Sequence, residues 1–212
     1  RVLALTRRGY GESDKPRTGY DVNTRVEDIR RALDVLGISK VTLIGHSVAG
    51  DELTAFASAY PARVDKVVYL DAAYDRSKTA ALIADDPSMK FVPNGGQPPG
   101  DDAIRAQLMK GSSAFHPDYR GIRAPALAFY ALPRMHPAFR RAPTAEDLRR
   151  MNAWWLAKGI PHVRANIEQF RREARRGQIV EMRYADHFLF LASTQDEVVR
   201  RTRDFLLRSQ FP

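Results

Sequence analysis

The chain has 212 residues, of which 44% are hydrophobic and 28% charged, so it suits a single globular domain with a sizeable core. It contains no cysteine, which excludes disulfides, thiolate metal sites and cysteine catalysis and leaves the redox compartment open. Its net charge is +9, and no apolar stretch reaches the length of a membrane span.

The excess basic residues are mostly arginine pairs on the polar faces of predicted helices, where acidic residues alternate with them. No basic stripe carries interleaved aromatic residues, as a nucleic-acid surface would. We therefore expect a solvated surface, with neither nucleic acid nor a membrane as partner. The sequence leaves the oligomeric state unknown.

The first predicted element is a strand at residues 1–6, and a loop rich in turn-forming residues follows it up to Pro16. Because the chain begins directly on this strand and not on methionine, we expect that its natural N-terminus is missing. The localisation is therefore unknown, with the cytoplasm favoured. The next element is a helix with a capping box formed by Thr24 and Glu27, and Gly37 ends it.

Residues 41–50 combine a short apolar strand, a sharp turn and the start of a helix that extends to Tyr60. In the turn, Ser47 has a small residue two positions away on each side. This pattern between a strand and a helix predicts a nucleophile elbow. The elbow residues around the serine are Gly45, His46 and Ala49.

The elbow is expected to strain the backbone of Ser47 and to lift its hydroxyl clear of the sheet. The N–H of Val48 then lies at the positive end of the new helix, where it is predicted to bind an oxyanion. The simpler alternative is a serine that only caps a buried helix.

A second buried strand covers residues 64–70 and ends at Asp71. Residues 75–120 are rich in Pro, Gly, Asn and Ser, and only residues 101–110 among them have a clear helical pattern. We interpret this segment as a cap or lid that covers the site, with a flexible linker as the alternative. The α/β core is then formed by residues 1–74 and 121–212.

The regular alternation resumes after the insertion. A strand at residues 125–132 is followed by helices at 145–157 and 161–175, the first of them started by Thr144. An edge strand at 178–184 and a final helix with a capping box from Thr194 complete the chain. Strands that alternate with helices predict an α/β fold, a mostly parallel sheet with helices on both faces.

A serine hydroxyl needs a base to remove its proton, and the base needs a partner that orients it. His187 follows the last strand directly, at the carboxyl end of the sheet where α/β folds bind ligands, so we predict it as the base. His46 lies inside the elbow and is expected to point away from the serine. Surface or capping roles suit the remaining histidines, His116, His136 and His162.

Two strand ends compete to supply the acid. After the predicted strand at residues 125–132 there is no carboxylate until Glu146, whereas Asp71 directly follows the strand at residues 64–70. We therefore predict Asp71, with Asp75 and Asp186 as reserves. Asp51, in the first turn of the elbow helix, is interpreted as a surface acid matched to the helix dipole.

Together these features resemble the α/β-hydrolase fold family. The resemblance rests on the loop at residues 8–13, the elbow at 45–49 and residues 186–188, and it covers nearly all of the chain outside the insertion. It implies a Ser–Asp–His triad, an oxyanion hole and a cap inserted after Asp71.

The chain departs from the family pattern in the position of the acid. The family usually places it after the next strand, although members resembling haloalkane dehalogenases place it where Asp71 stands. Those dehalogenases and the epoxide hydrolases use an aspartate nucleophile, so Ser47 argues against both activities.

The family also has strands upstream of Val2, and the loop after one of them gives the second oxyanion donor. That strand would lie between the predicted strands at residues 1–6 and 41–44. Losing one oxyanion donor typically costs about 100- to 1,000-fold in turnover, and a missing central strand leaves unpaired backbone. We therefore expect a fragment that is poorly stable and nearly inactive alone.

The sequence thus predicts a serine hydrolase that cleaves an ester or related acyl bond of a small molecule, with no cofactor or metal. Two alternatives stay open. One is a catalytically idle member that binds a ligand or a partner, and the other is a lyase or cofactor-free haloperoxidase with the same triad. An apolar substrate pocket is expected to be lined by Phe91, Phe115, Tyr119, Met135, Trp154 and Trp155.

Overall fold

Four parallel strands form one sheet in the computed structural model, which describes residues 1–91 and 102–207. The strands lie side by side in chain order, and each pairs in parallel with the next. They are β1 (Val41–His46), β2 (Val64–Leu70), β3 (Ala126–Leu132) and β4 (Gly177–Arg183). The predicted fold class, a parallel α/β sheet with helices on both faces, is confirmed.

Seven α-helices are present in the described residues, and at least one lies in each crossover between neighbouring strands. None of these helices is long and apolar enough to cross a membrane. They are α1 (Val22–Val35), α2 (Ala49–Ala59), α3 (Thr79–Ala84), α4 (Asp102–Ser113), α5 (Ala145–Trp154), α6 (Ile160–Glu173) and α7 (Gln195–Leu207).

The two central strands separate two apolar cores. Alternate side chains of a strand point to opposite faces, so Val67 and Tyr69 of β2 join the core formed with α1, α2 and α6. Val68 lies on the other face, in the core that includes Phe205 of α7. All seven residues of β3 are buried, as expected for a strand that is covered on both faces.

The predicted strand at residues 1–6 is wrong. These residues form no strand, and Val2 is 99% exposed. A β-strand needs a neighbour for its backbone hydrogen bonds, and β1, at the end of the described sheet, pairs only with β2. Ile44 of β1 is 47% exposed for the same reason.

The start of α1 also differs from the prediction. The helix begins at Val22, and its N-cap is Asp21, whose carboxylate accepts a hydrogen bond from the Thr24 backbone N–H at 2.9 Å. The Thr24 hydroxyl donates to the same carboxylate at 2.6 Å. Thr24 therefore lies in the first turn, because the aspartate three positions earlier already caps the helix.

The helices predicted at residues 145–157 and 161–175 are one almost continuous element. Thr144 caps α5 as predicted, and a π-helical turn at Trp155–Gly159 connects α5 to α6. The Trp155 ring lies so close that a β-carbon at Gly159 would be 1.9 Å from it. In the insertion, α4 continues to Ser113, beyond the predicted end at residue 110; residue 101 lies outside the described residues.

Close contact between α2 and the backbone after β2 holds the elbow against the sheet. A β-carbon at Gly50 would lie 1.8 Å from the Ala72 carbonyl oxygen, so only glycine allows this approach. Alanine usually favours a helix over glycine by up to about 1 kcal/mol. At position 50 the close approach to Ala72 reverses that preference, so glycine is more stable there than alanine.

We predict that Gly50→Ala lowers the free energy of unfolding by about 2–3 kcal/mol, because α2 must move away from Ala72. Urea unfolding of both proteins measures the difference. A variant as stable as the original chain, or more stable, would contradict the close packing at this position.

Candidate active site

The turn between β1 and α2 has the strained geometry that the elbow pattern predicts. Ser47 has a φ of +57°, in the left-handed region that non-glycine residues rarely adopt. A β-carbon at Gly45 would lie 2.9 Å from the β-carbon of Ala49, so the turn depends on small residues at both positions. The Ser47 N–H donates to the Leu70 carbonyl at 3.3 Å, which ties the turn to the end of β2.

His187 lies next to this serine in space. Its Nε2 is 2.9 Å from the Ser47 Oγ, and its Nδ1 is 2.7 Å from Asp71 Oδ2. The histidine follows a backbone reversal after β4, where Tyr184 has a φ of +73°. One imidazole therefore bridges a hydroxyl and a carboxylate that come from two different strand ends.

Asp71 is buried and its carboxylate is fully engaged. Oδ2 faces His187, while Oδ1 accepts hydrogen bonds from the Ala131 N–H at 2.9 Å and from the Tyr74 hydroxyl at 2.7 Å. Burial, followed by the charge of Asp71, raises the pKa of Tyr74 well above its ordinary value, so the phenol keeps its proton and donates. These contacts fix the carboxylate in an orientation that suits His187.

His46 contacts both the ring and the backbone carbonyl of His187. Its Nε2 donates to the His187 carbonyl at 2.9 Å, and the two ring centroids are 4.4 Å apart. Burial lowers the pKa of His46, which keeps this ring neutral. His46 thus supports the loop that carries His187, a role that the sequence pattern did not indicate.

The two reserve carboxylates are engaged elsewhere. Asp75 accepts a hydrogen bond from the Ser77 hydroxyl and pairs with Lys78 at 2.8 Å. Asp186 accepts from the Phe188 N–H at 2.9 Å and so orders the turn around His187.

The interpretation of Asp51 as a surface acid is wrong, since it is only 1% exposed. Its Oδ1 lies 3.3 Å from the Arg76 Nε, and burial raises its pKa to about 6. The neighbouring Glu52 is also buried and pairs with Arg7 and Arg25. The helix start is covered by α1 and by the loop before it, a tertiary arrangement that the local sequence does not show.

The other histidines have different environments. His116 is exposed, as expected. His136 is buried, against the expectation: its Nε2 lies 3.2 Å from Asp86 Oδ2, and its Nδ1 accepts from the Ala138 N–H. His162 is half-buried in the first turn of α6, and burial lowers its pKa.

A cleft of about 180 Å³ lies beside His187 and Asp71. Its walls come from the end of β2, the segment after it and the start of α6. The lining residues are Asp71, Tyr74, Arg76, Thr79, His162, Val163 and His187.

None of the six residues expected to form an apolar pocket lines this cleft. Tyr119 is buried in the main core, where its ring contacts Phe170. Trp155 is also buried there, and its Nε1 donates to the Pro133 carbonyl. The remaining four lie elsewhere: Phe115 and Trp154 pack against that core, Met135 is exposed, and Phe91 lies under the Lys90 ammonium.

The pocket prediction failed because a sequence pattern does not show whether a large apolar side chain faces a pocket or the core.

Within residues 1–91 and 102–207, no group of three or more His, Asp or Glu side chains could hold a metal ion.

Comparisons with known proteins agree with this architecture. The sequence profile of the alpha/beta hydrolase fold matches residues 1–204. A non-heme chloroperoxidase from Streptomyces lividans is 29% identical over 169 residues, which are 79% of this chain and 54% of that protein. Human epoxide hydrolase 4 is 42% identical over 73 residues, or 34% of this chain and 20% of that protein.

A solved structure gives the same fold. An esterase from Exiguobacterium antarcticum superimposes with a TM-score of 0.62 at 18% identity, covering 94% of this chain and 78% of that one. The chain thus spans about half of the chloroperoxidase and about a fifth of the human relative.

The buried Asp51 predicts a pH dependence of stability. Its pKa is about 6 in the folded chain against 3.8 for an unburied aspartate, so the folded state binds the proton more tightly. Its contribution is therefore most favourable below about pH 4 and is lost as the pH rises through 6. The shift corresponds to about 2–3 kcal/mol.

We expect Asp51→Asn to remove this dependence. Relative to the variant, the original chain should lose about 2–3 kcal/mol of unfolding free energy between pH 4 and pH 7.5, as measured by urea denaturation. Asp65→Asn, at a largely exposed position, is the control and should show no such difference. Parallel stability profiles for the original chain and Asp51→Asn would contradict the raised pKa.

Proposed function

Because this chain belongs to the α/β-hydrolase fold family, we propose that it is a serine hydrolase that cleaves an ester or related acyl bond. One observation carries the proposal: the imidazole of His187 lies 2.9 Å from the Ser47 hydroxyl and 2.7 Å from the Asp71 carboxylate. A hydroxyl, a base and an orienting acid are the groups that acyl transfer through a serine requires.

In the proposed mechanism, His187 Nε2 removes the proton of Ser47 as its oxygen attacks the substrate carbonyl. The imidazolium then gives that proton to the leaving group. This step releases an alcohol or amine and leaves the acyl group on Ser47. His187 next removes a proton from water, which attacks the acyl carbon and releases the acid.

Two groups stabilise the charges that form. Asp71 stabilises the imidazolium and holds the tautomer in which Nδ1 carries the proton, because Ala131 and Tyr74 fix the carboxylate. The N–H of Val48 lies at the start of α2, where the helix dipole favours negative charge, and is the proposed oxyanion donor.

We also propose that residues 75–120 act as a cap over the core formed by residues 1–74 and 121–212. In the described part of this segment, Ile104 and Leu108 of α4 cluster with Tyr20, and Val48 of the elbow packs against them. Arg76 and Thr79 line the cleft. The segment therefore covers the elbow and contributes to the wall of the site.

A second candidate activity follows from the chloroperoxidase relative. Hydrogen peroxide in place of water would attack the same acyl-enzyme and release a peracid, with Ser47 restored. A panel that compares the two acceptors on one ester separates hydrolysis from this reaction. The match to the epoxide hydrolase covers only a third of the chain, and Ser47 stands where an aspartate nucleophile would be needed.

A fluorophosphonate probe tests the nucleophile. We predict covalent labelling at Ser47, detected by peptide mass spectrometry, and loss of labelling in Ser47→Ala and His187→Gln. Ser58→Ala is the matched control, since the Ser58 hydroxyl only donates to the Asp118 carbonyl, and it should label normally. Absence of a Ser47 adduct, or equal labelling in His187→Gln, would rule out the proposed site.

The acid is tested with Asp71→Asn, which keeps the shape but loses the charge and favours the wrong histidine tautomer. We expect the kcat for 4-nitrophenyl acetate to fall by a factor on the order of 10³–10⁴. Asp186→Asn, which can still accept from Phe188, should stay within about threefold of the original rate. A loss confined to Asp186→Asn would instead assign the acid to that reserve.

A further inference from the structure

Arg76 is a mostly buried cation on the wall of the cleft beside the proposed catalytic residues. Its side chain is 15% exposed and shares the cleft with Asp71 and His187. The Nε and Nη2 atoms are buried and have no hydrogen-bond partner among the described residues. A buried guanidinium is costly unless its charge and donors are satisfied. Because Arg76 lines the cleft, an anion bound there would offset part of that cost.

The nearby protein charges do not satisfy this guanidinium. Asp51 lies 3.3 Å from the Arg76 Nε without forming a hydrogen bond, and its Oδ2 is itself unpaired. The other carboxylate of this cluster, Glu52, is occupied by Arg7 and Arg25. Three guanidinium groups thus face two carboxylates, and one positive charge remains uncompensated even when Asp51 is ionised.

The two aspartates after β2 are engaged by donors other than Arg76. Both oxygens of Asp71 already accept hydrogen bonds from His187, Tyr74 and Ala131. The Asp75 carboxylate is paired with Lys78.

The residues that α6 contributes to the cleft are His162 and Val163, and neither adds a charge near neutral pH. Burial lowers the pKa of His162. Among the residues that line the cleft, Arg76 is thus the cation whose charge is not held by a hydrogen-bonded carboxylate. The forked donors of a guanidinium match the two oxygens of a carboxylate.

We propose that Arg76 binds a carboxylate carried by the substrate, so that the enzyme prefers esters of acids with a second, ionised carboxyl group. The inference rests on the proposed function and specifies its substrate class. His187 connects the two regions, since it lines the cleft and its Nε2 is 2.9 Å from the Ser47 Oγ. The anionic end of the substrate lies at Arg76 while its ester carbonyl lies at the serine.

Matched substrates test the preference. Mono-(4-nitrophenyl) adipate carries a free carboxylate, and methyl 4-nitrophenyl adipate has the same chain with that group esterified. We expect kcat/KM to favour the anionic ester by at least about tenfold, because a charge-assisted hydrogen bond in a buried site contributes that much. Arg76→Gln should lower the ratio of the two values by roughly 10- to 100-fold, and Arg76→Lys by less.

Arg150→Gln is the matched control, because Arg150 is exposed on α5 and pairs with Glu146. It should leave the ratio unchanged. A ratio near one in the original chain, or a ratio that Arg76→Gln does not alter, would overturn the inference even if both esters are hydrolysed, and the proposed function would then stand without it.

A binding measurement separates the two claims if turnover is low. Ser47→Ala is titrated with monomethyl adipate and with dimethyl adipate, and the first should bind at least about tenfold more tightly unless Arg76 is also replaced by Gln. Equal affinities would show that water alone solvates the Arg76 donors, and the inference fails. Selective binding of the monoanion without hydrolysis of either ester would support Arg76 as an anion site and contradict the hydrolase proposal.

Discussion

The parallel alignment of four strands is the constraint on which the site depends. Because all strands run in one direction, Ser47 after β1, Asp71 after β2 and His187 after β4 lie at the same edge of the sheet. Backbone contacts then set the distances. The Ser47 N–H donates to the end of β2, and the Asp71 N–H donates to the Phe129 carbonyl of β3. Reaction geometry is therefore a consequence of strand register.

Strain is concentrated at this edge. Ser47, Asp71 and Tyr184 are the non-glycine residues with positive φ among those that the structure describes. Each immediately follows a strand end or lies at the turn that leads to His187. Conformations of this kind cost about 1–3 kcal/mol each and persist where the surrounding packing determines them. Here the close approach of α2 to Ala72 at Gly50 supplies such packing.

The start of α2 also holds a cluster of buried charged residues. The first turn of α2 carries two acids, which match the helix dipole, and the fold covers them with arginines from the preceding loop, α1 and the segment after β2. The result is a buried cluster next to the cleft whose net charge is positive. A substrate with a negative charge would complete it, whereas a neutral one would leave the Arg76 donors unsatisfied.

Local pattern predicted much of the fold and the positions of the proposed catalytic residues. The pattern around Ser47 indicated the strained turn. The ends of two predicted strands indicated Asp71 and His187, because residues that directly follow parallel strands lie at the same edge of the sheet. Features set by long-range contacts could not be read in this way. The burial of Asp51, the partner of His46, the core position of Tyr119 and the unpaired segment at residues 1–6 all depend on which distant element lies alongside.

The most direct test of the account is rapid-quench mass spectrometry of the chain mixed with 4-nitrophenyl acetate. We expect one acetyl group on the peptide that contains Ser47, formed within a burst of nitrophenol release and absent in His187→Gln. Steady release of nitrophenol with no acetylated Ser47 peptide at any quench time, under conditions where added acyl-serine standards survive, would contradict a serine nucleophile activated by His187.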